Sequence, residues 1–255
     1  MNLAAIVQAR TGSTRFPGKV LKRSGGRPLL CHLLDRLRAV PPIDTVVVAT
    51  TVLAADDALA ELAAAQGFLV ARGSVDDVLD RCVLAARQVD ARNIMRITAD
   101  CPLLDPEICA RVWELHAQSN ADYTATGQDF AEGLDCEIIT REALERSHRD
   151  AILASEREHV TLYVRNHPEL FRLVRLENDR DDSRYRVTVD EPADFEVVDA
   201  VLNHLSTEPG AGFGFAPVRG FLDAHPEVAE KNARIIRNEG LLKSLAQDRP
   251  AGGRP

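Results

Sequence analysis

Residues 8–21 read QARTGSTRFPGKVL and place three basic side chains, Arg10, Arg15 and Lys19, among two glycines, a proline and three hydroxyl residues. Such a stretch suits a polyphosphate. Gly12 lets backbone amides come close to an anion, Ser13 and Thr14 add hydroxyl donors, and the three cations supply charge. Pro17 stiffens the loop, so less entropy is lost when a ligand orders it. The stretch follows an apolar run, and α/β sheets bind ligands beyond the carboxyl ends of their strands. A solvated turn with incidental charges is the plainer reading. Neither common phosphate loop is present. Five residues rather than four separate Gly12 from Gly18–Lys19, Val20 stands where a magnesium-holding Ser or Thr belongs, and no G-x-G-x-x-G occurs.

Asp100 follows the run NIMRIT, and Asp190 closes YRVTVD. If the latter is a strand, alternation puts Asp190 on one face with Arg186 and Thr188, and Tyr185, Val187 and Val189 on the other. Two carboxylates at strand ends can share one Mg²⁺, a hard cation that takes oxygen ligands and keeps several waters. Each has a structural competitor. Asp190 precedes EPAD, where aspartates cap helices, and Asp100 precedes Cys101–Pro102, a natural turn. Other chemistries lack their residues: there is no G-x-S-x-G and no H-E-x-x-H, and His159 and His167 are eight apart. The five cysteines are odd in number and lack a C-x-x-C spacing, so they read as reduced packing residues rather than a zinc site or disulfide framework.

The elements that must position these groups alternate along the chain. Strands are expected at residues 3–9, 45–51, 68–74 and 93–100. Helices are expected at 28–40, with Pro28 in its first turn, at DDALAELAAAQG ending on Gly67, at VDDVLDRCVLAARQV, and at 105–118 with Asp105 as N-cap. This spacing predicts an α/β fold, a three-layer sandwich with a mostly parallel, mixed sheet and helices on both faces. Beyond Pro102 the pattern loosens. REALERSHRDAILASEREHVTLYVRNHP reads as two helices meeting near Ala154, FRLVRLEN and YRVTVD as strands, DEPADFEVVDAVLNHL as a helix, EPGAGFGFAP as a loop and HPEVAEKNARIIRNEGLLKSLAQD as a last helix. The tail 249–255 is expected to be disordered.

A length of 255 residues suits one large α/β domain, and a net charge of −8 argues against broad nucleic-acid binding while leaving room for a local basic pocket. No apolar run is long enough to span a membrane, and the start MNLAAIVQAR has no signal-peptide pattern. A cytoplasmic protein without nucleic-acid or membrane partners is expected.

Several segments together resemble the cytidylyltransferases that activate acidic sugars, such as the 3-deoxy-manno-octulosonate and acylneuraminate enzymes, and most closely the spore coat polysaccharide biosynthesis protein F family. They are QARTGSTRFPGKVL, RGSVDDVLDR, RITADCPLLDPE, GLDCEIIT, EREHVTLYVRNHP, RVTVDEPADFEVV and HPEVAEKNARIIRNEG. The resemblance covers almost the whole chain. It implies a nucleotide-diphospho-sugar transferase-like fold, with one nucleotidyltransferase domain over 1–248, a nucleotide-binding part near 1–120 and an acceptor and dimerisation part near 121–185. It implies a Mg²⁺-dependent transfer of CMP from CTP to a small anionic acceptor, by a homodimer. Gln8, Ala9, Arg10, Gly12, Ser13, Thr14, Arg15, Lys19, Arg72 and Asp100 would hold the nucleotide, with Arg10 and Lys19 catalytic. Asp100 and Asp190 would hold the metal, and Glu137, Arg157 and His159 the acceptor. Two other classes stay open: a glycosyltransferase, for which Asp179-Arg180-Asp181 offers the aspartate spacing in a loop, and a nucleotide-binding protein without turnover.

Overall fold

The computed structural model describes residues 2–207 and 212–251. Seven strands form one sheet: β1 (Leu3–Gln8), β2 (Thr45–Thr51), β3 (Leu69–Gly73), β4 (Asn93–Thr98), β5 (Tyr123–Thr126), β6 (Glu137–Thr140) and β7 (Leu173–Leu176), in the order β3-β2-β1-β4-β6-β5-β7. The first four in that order run parallel, β6 pairs antiparallel with both β4 and β5, and β7 lies parallel to β5. The expected α/β sandwich with a mostly parallel, mixed sheet is therefore what the chain builds.

The apolar runs explain the layering. In β1 the side chains alternate between two cores: Leu3, Ala5 and Val7 pack on one face, and Ala4 and Ile6 on the other. Helices Leu29–Arg38, Pro106–Ser119, Pro192–Thr207 and Phe215–Ala224 cover the first face. Helices Val78–Gln88 and Arg141–Asp150 cover the second. Asp105 caps the helix that follows it, accepting from the amides of Glu107 and Ile108. All five cysteines are free and buried.

Four expectations change. YRVTVD is not a sheet strand. It is an extended segment held by loops, with Val187 donating to Glu132 O and Val189 to Asp100 O. Its alternation survives, with Tyr185, Val187 and Val189 in the core. The charged stretch after Thr140 forms three helices, Arg141–Asp150, Ala154–Glu158 and Leu162–Asn166, rather than two. The last helix is broken into Pro226–Ala229 and Glu239–Ala246, with Asn238 at φ 56° before the second piece. Residues 249–251, expected within a disordered tail, lie against Ile152–Ala154, with Leu153 bridged to Pro250. Residues 252–255 and 208–211, the EPGA that opens the expected loop, lie outside the described residues.

Candidate active site

At the carboxyl end of β1 the chain enters the basic loop. Asp56, 2% exposed, ties that loop down: it accepts from the Thr11 amide and hydroxyl, 2.7 Å each, and from the Thr51 hydroxyl. Burial opposes its charge, but the hydrogen bonds from Thr11 and Thr51 prevail and hold the carboxyl below its ordinary 3.8. The anchor is thus fully present above that ordinary value and is lost as pH falls through the depressed one. Asp56→Ala is expected to cost about 1–3 kcal/mol, because it strands buried donors. A urea midpoint at pH 7 equal to that of the parent would show that the loop is anchored elsewhere.

The loop ends at Gly18, whose φ of 69° starts the short turn Lys19–Leu21. That turn buries Lys19 to 8% exposure and sends its ammonium between two carboxylates, 2.9 Å from Asp100 Oδ2 and 2.8 Å from Asp190 Oδ1. Burial penalises the lysine charge, but Asp100 and Asp190 outweigh it and raise the pKa above 10.5. Burial likewise opposes the Asp100 charge, yet Lys19 and a hydrogen bond from Thr98 pull its carboxyl down to about 2. An open setting for Lys19, natural for a loop cation, is not what the structure shows.

Asp100 and Asp190 lie 90 positions apart in sequence, and the backbone joins them. Asp100 O accepts from the Val189 amide at 2.8 Å and the Thr188 hydroxyl at 3.2 Å. Gly133 lets a loop cross this segment: at φ 106°, an added Cβ would meet Thr188 N at 2.5 Å. Helix capping, the competing role for Asp190, falls to Asp194 instead, which accepts from the amides of Asp190 and Glu191. Asp190 is left to take Lys19, Arg15 at 3.2 Å and Arg186 at 3.2 Å. Arg186, 7% exposed, also binds Asp194 through Nε at 2.8 Å and pairs with Glu132.

These groups line a cavity of about 810 Å³. Gln8, Ala9, Arg10, Ser13, Thr14, Arg15, Lys19, Asp100 and Asp190 reach it, and Glu137 and His159 stand on another part of its wall. Arg10 makes no hydrogen bond or ion pair with another described residue. Glu137 accepts from Thr161 at 2.6 Å and from Arg96 at 3.3 Å, and Arg96 also donates to Gln8 Oε1 at 2.9 Å. Burial, aided by the nearby positive charges of Arg96 and Arg165, holds His159 below its ordinary 6.5 despite Glu158. Its imidazole is therefore neutral at pH 7, and Nε2 is buried without a hydrogen-bond partner.

Three expected site residues do not line this cavity. Gly12 is exposed at the loop's edge. Arg72 is spent on the carbonyls of Thr51 and Leu53, 2.8 Å each, and on Asp57 at 2.6 Å. Arg157 turns away: it binds Asp77 and His148 O, and so clamps the start of the helix Val78–Gln88 that Asp77 caps. Asp179 and Asp181, the spacing open to a glycosyltransferase, are exposed and do not line the cavity. Arg81 and Arg96 also line the cavity, and sequence reasoning missed them. A charged residue inside a central strand signals Arg96, and one set within an apolar helical stripe signals Arg81.

The sequence model of the cytidylyltransferase family matches residues 4–207. The chain belongs to that family. It is similar to the spore coat polysaccharide biosynthesis protein SpsF of Bacillus subtilis, 37% identical over 211 residues, which are 80% of this chain and 88% of SpsF. An uncharacterized protein of Methanocaldococcus jannaschii is 35% identical over 237 residues, 92% of this chain and 96% of its own length. Among solved structures, a cytidylyltransferase from Leptospira borgpetersenii superposes with a TM-score of 0.83 at 33% identity, covering 90% of this chain and 97% of its own. This cytidylyltransferase is a CTP-dependent nucleotidyltransferase, and among its described residues no helix is long and apolar enough to cross a membrane.

Proposed function

We propose that the enzyme transfers CMP from a Mg²⁺–CTP complex to a small anionic acceptor, an acidic sugar or a phosphorylated or phosphonate compound, and releases pyrophosphate. The observation that carries this reading is the convergence of the basic loop with Asp100 and Asp190, held together through Lys19. The two carboxylates fit a divalent cation because they already share one cation, the lysine ammonium, between their oxygens. A bound divalent ion would draw its remaining ligands from water and phosphate and would offset charge in the transition state.

Arg10, Ser13, Arg15 and Lys19 would hold the triphosphate, with Arg10 free to engage it without breaking a bond inside the protein. An acceptor oxygen attacks the α-phosphorus in line. The new P–O bond forms as the bond to the bridging oxygen breaks, and the electron pair leaves with pyrophosphate. Cations on the β- and γ-phosphates stabilise that leaving group, so positioning and charge suffice and no covalent protein intermediate is needed. His159 lines this wall with Arg96 and Arg165, and Glu137 and Glu158 stand on it as well. The similarity to a polysaccharide biosynthesis protein supports a sugar-like acceptor, and Arg165, which pairs with no carboxylate among the described residues, supports an anionic one. Residues of 1–120, proposed as the nucleotide part, and of 121–185, proposed as the acceptor part, both line the cavity, as do Asp190 and Glu239 beyond them. A cytoplasmic homodimer completes the proposal, and a sedimentation mass of two chains is the check on it.

Pyrophosphate release, measured with each of the four nucleoside triphosphates over a panel of acidic acceptors, tests the reaction. Pyrophosphate with CTP supports it. Release of free nucleoside diphosphate from a nucleotide-sugar would favour the glycosyltransferase, and CTP binding without any product would favour a binding protein. A finer expectation concerns Glu239, which holds Arg15 at 2.9 Å where phosphate would bind. Glu239→Gln is expected to tighten CTP binding about two- to fivefold, the scale of a partly exposed ion pair. Calorimetry showing weaker binding would mean that Glu239 orients Arg15 rather than competing for it.

A further inference from the structure

We infer that Lys19 fills the cation seat between Asp100 and Asp190 in the nucleotide-free enzyme, so that a divalent cation enters that seat only together with the nucleotide. The inference rests on the transfer reading above and adds an order of events to it.

The ammonium lies within hydrogen-bond distance of both carboxylates at once, at 2.9 and 2.8 Å, which is where a shared metal ion would have to go. The seat is rigid. Asp100 is stitched to the extended segment through its own carbonyl, and the Asp190 amide is fixed by Asp194. The second oxygen of Asp190 is already engaged by Arg186. Lysine and divalent ion therefore compete for the same two oxygens, Asp100 Oδ2 and Asp190 Oδ1, the second of which Arg15 also touches at 3.2 Å.

A free cation would gain little by displacing the lysine. Among the described residues, no group of three or more His, Cys, Asp or Glu side chains is arranged to hold a metal ion. The newcomer would exchange water for only two carboxylate oxygens, and Mg²⁺ gives up water reluctantly. It would also drive a buried ammonium out with no new partner. A nucleotide changes both terms. Its phosphate oxygens complete the coordination shell, and they offer the departing ammonium a fresh anion. The flexible four-carbon stem of lysine allows that swing. The exchange balances: one positive charge moves from the carboxylates to phosphate, and two arrive with charges of the nucleotide to meet them.

The experiment is Mn²⁺ titration followed by electron paramagnetic resonance, with wild type and Lys19→Met, each without nucleotide and with a CTP analogue carrying a methylene between the α- and β-phosphates. Wild type is expected to bind Mn²⁺ weakly alone and tightly with the analogue. Lys19→Met is expected to bind Mn²⁺ alone about tenfold or more tightly than wild type does, because a competing unit charge at contact distance is gone. Wild type binding Mn²⁺ equally well with and without the analogue would overturn the inference, and so would a variant no better than wild type. If the variant does not fold alone, Mn²⁺ added during refolding is expected to restore it by replacing the lost charge, and failure to do so counts against the idea. Absence of any Mn²⁺–analogue binding to wild type would instead bring down the transfer reading, and this inference with it.

Discussion

Asp100→Asn is expected to lower turnover by about 10²- to 10³-fold, the scale seen when one preorganised electrostatic contact to a transition state is removed. The substitution keeps the side chain's shape and removes its charge. It leaves Lys19 with Asp190 alone and takes one of the two carboxylate ligands from the cation seat. The fold should survive, because the Asp100 backbone carbonyl also joins the turn to the segment carrying Asp190, independently of the carboxylate. The decisive readout is the divalent-metal titration of pyrophosphate release: the half-saturating Mg²⁺ concentration should rise together with the fall in rate. A variant that is slow but titrates with Mg²⁺ as the parent does would place Asp100 outside the metal set. It would assign the carboxylate to holding Lys19 instead.

Much of this arrangement is legible in the residues. The runs LAAIVQA and TVVVATT are mostly apolar on both faces, as strands covered by helices on both sides must be, and with FLVARGS and NIMRITAD they place all four parallel strands to within two residues at either end. A basic, glycine-bearing stretch just beyond the first of them is a ligand loop by position as much as by composition. The extended segment 185–190 is misread as a sheet strand because alternation reports only that one face is buried. It does not say whether the partner is a ladder or two crossing loops. Arg157 and Arg72 show the opposite failure. An arginine near a strand or helix end looks the same whether it awaits an anion or is already spent on local carbonyls and carboxylates, and only the fold counts its partners. The C-terminal contribution, Glu239 on Arg15 and residues 249–251 against Ile152–Ala154, rests on contacts far apart in sequence, for which no local pattern exists.

Arg186→Met is expected to destabilise the protein by about 3–5 kcal/mol, the usual consequence of stripping one partner from a buried ionic cluster. The guanidinium is nearly enclosed and touches Glu132, Asp190 and Asp194. Burial works against its charge, yet the hydrogen bonds to Asp194 and the charge of Glu132 raise its pKa above 12.5. Methionine fills much of the volume but leaves Asp194, fully buried, with only amide donors and Asn232, and leaves Glu132 with the Asn238 amide. The sign of the pH response identifies the cause. Without the arginine, burial should lift these carboxyls above their unfolded values, so the folded variant binds protons more readily than the unfolded chain and gains stability as pH falls. The deficit against wild type in urea should therefore shrink between pH 7.5 and pH 5, and a second change, Asp194→Asn, should recover part of it at neutral pH. A deficit that is the same at both pH values would trace the loss to packing, and the cluster would then be a scaffold in which the charges of Glu132 and Asp194 carry no energetic weight of their own.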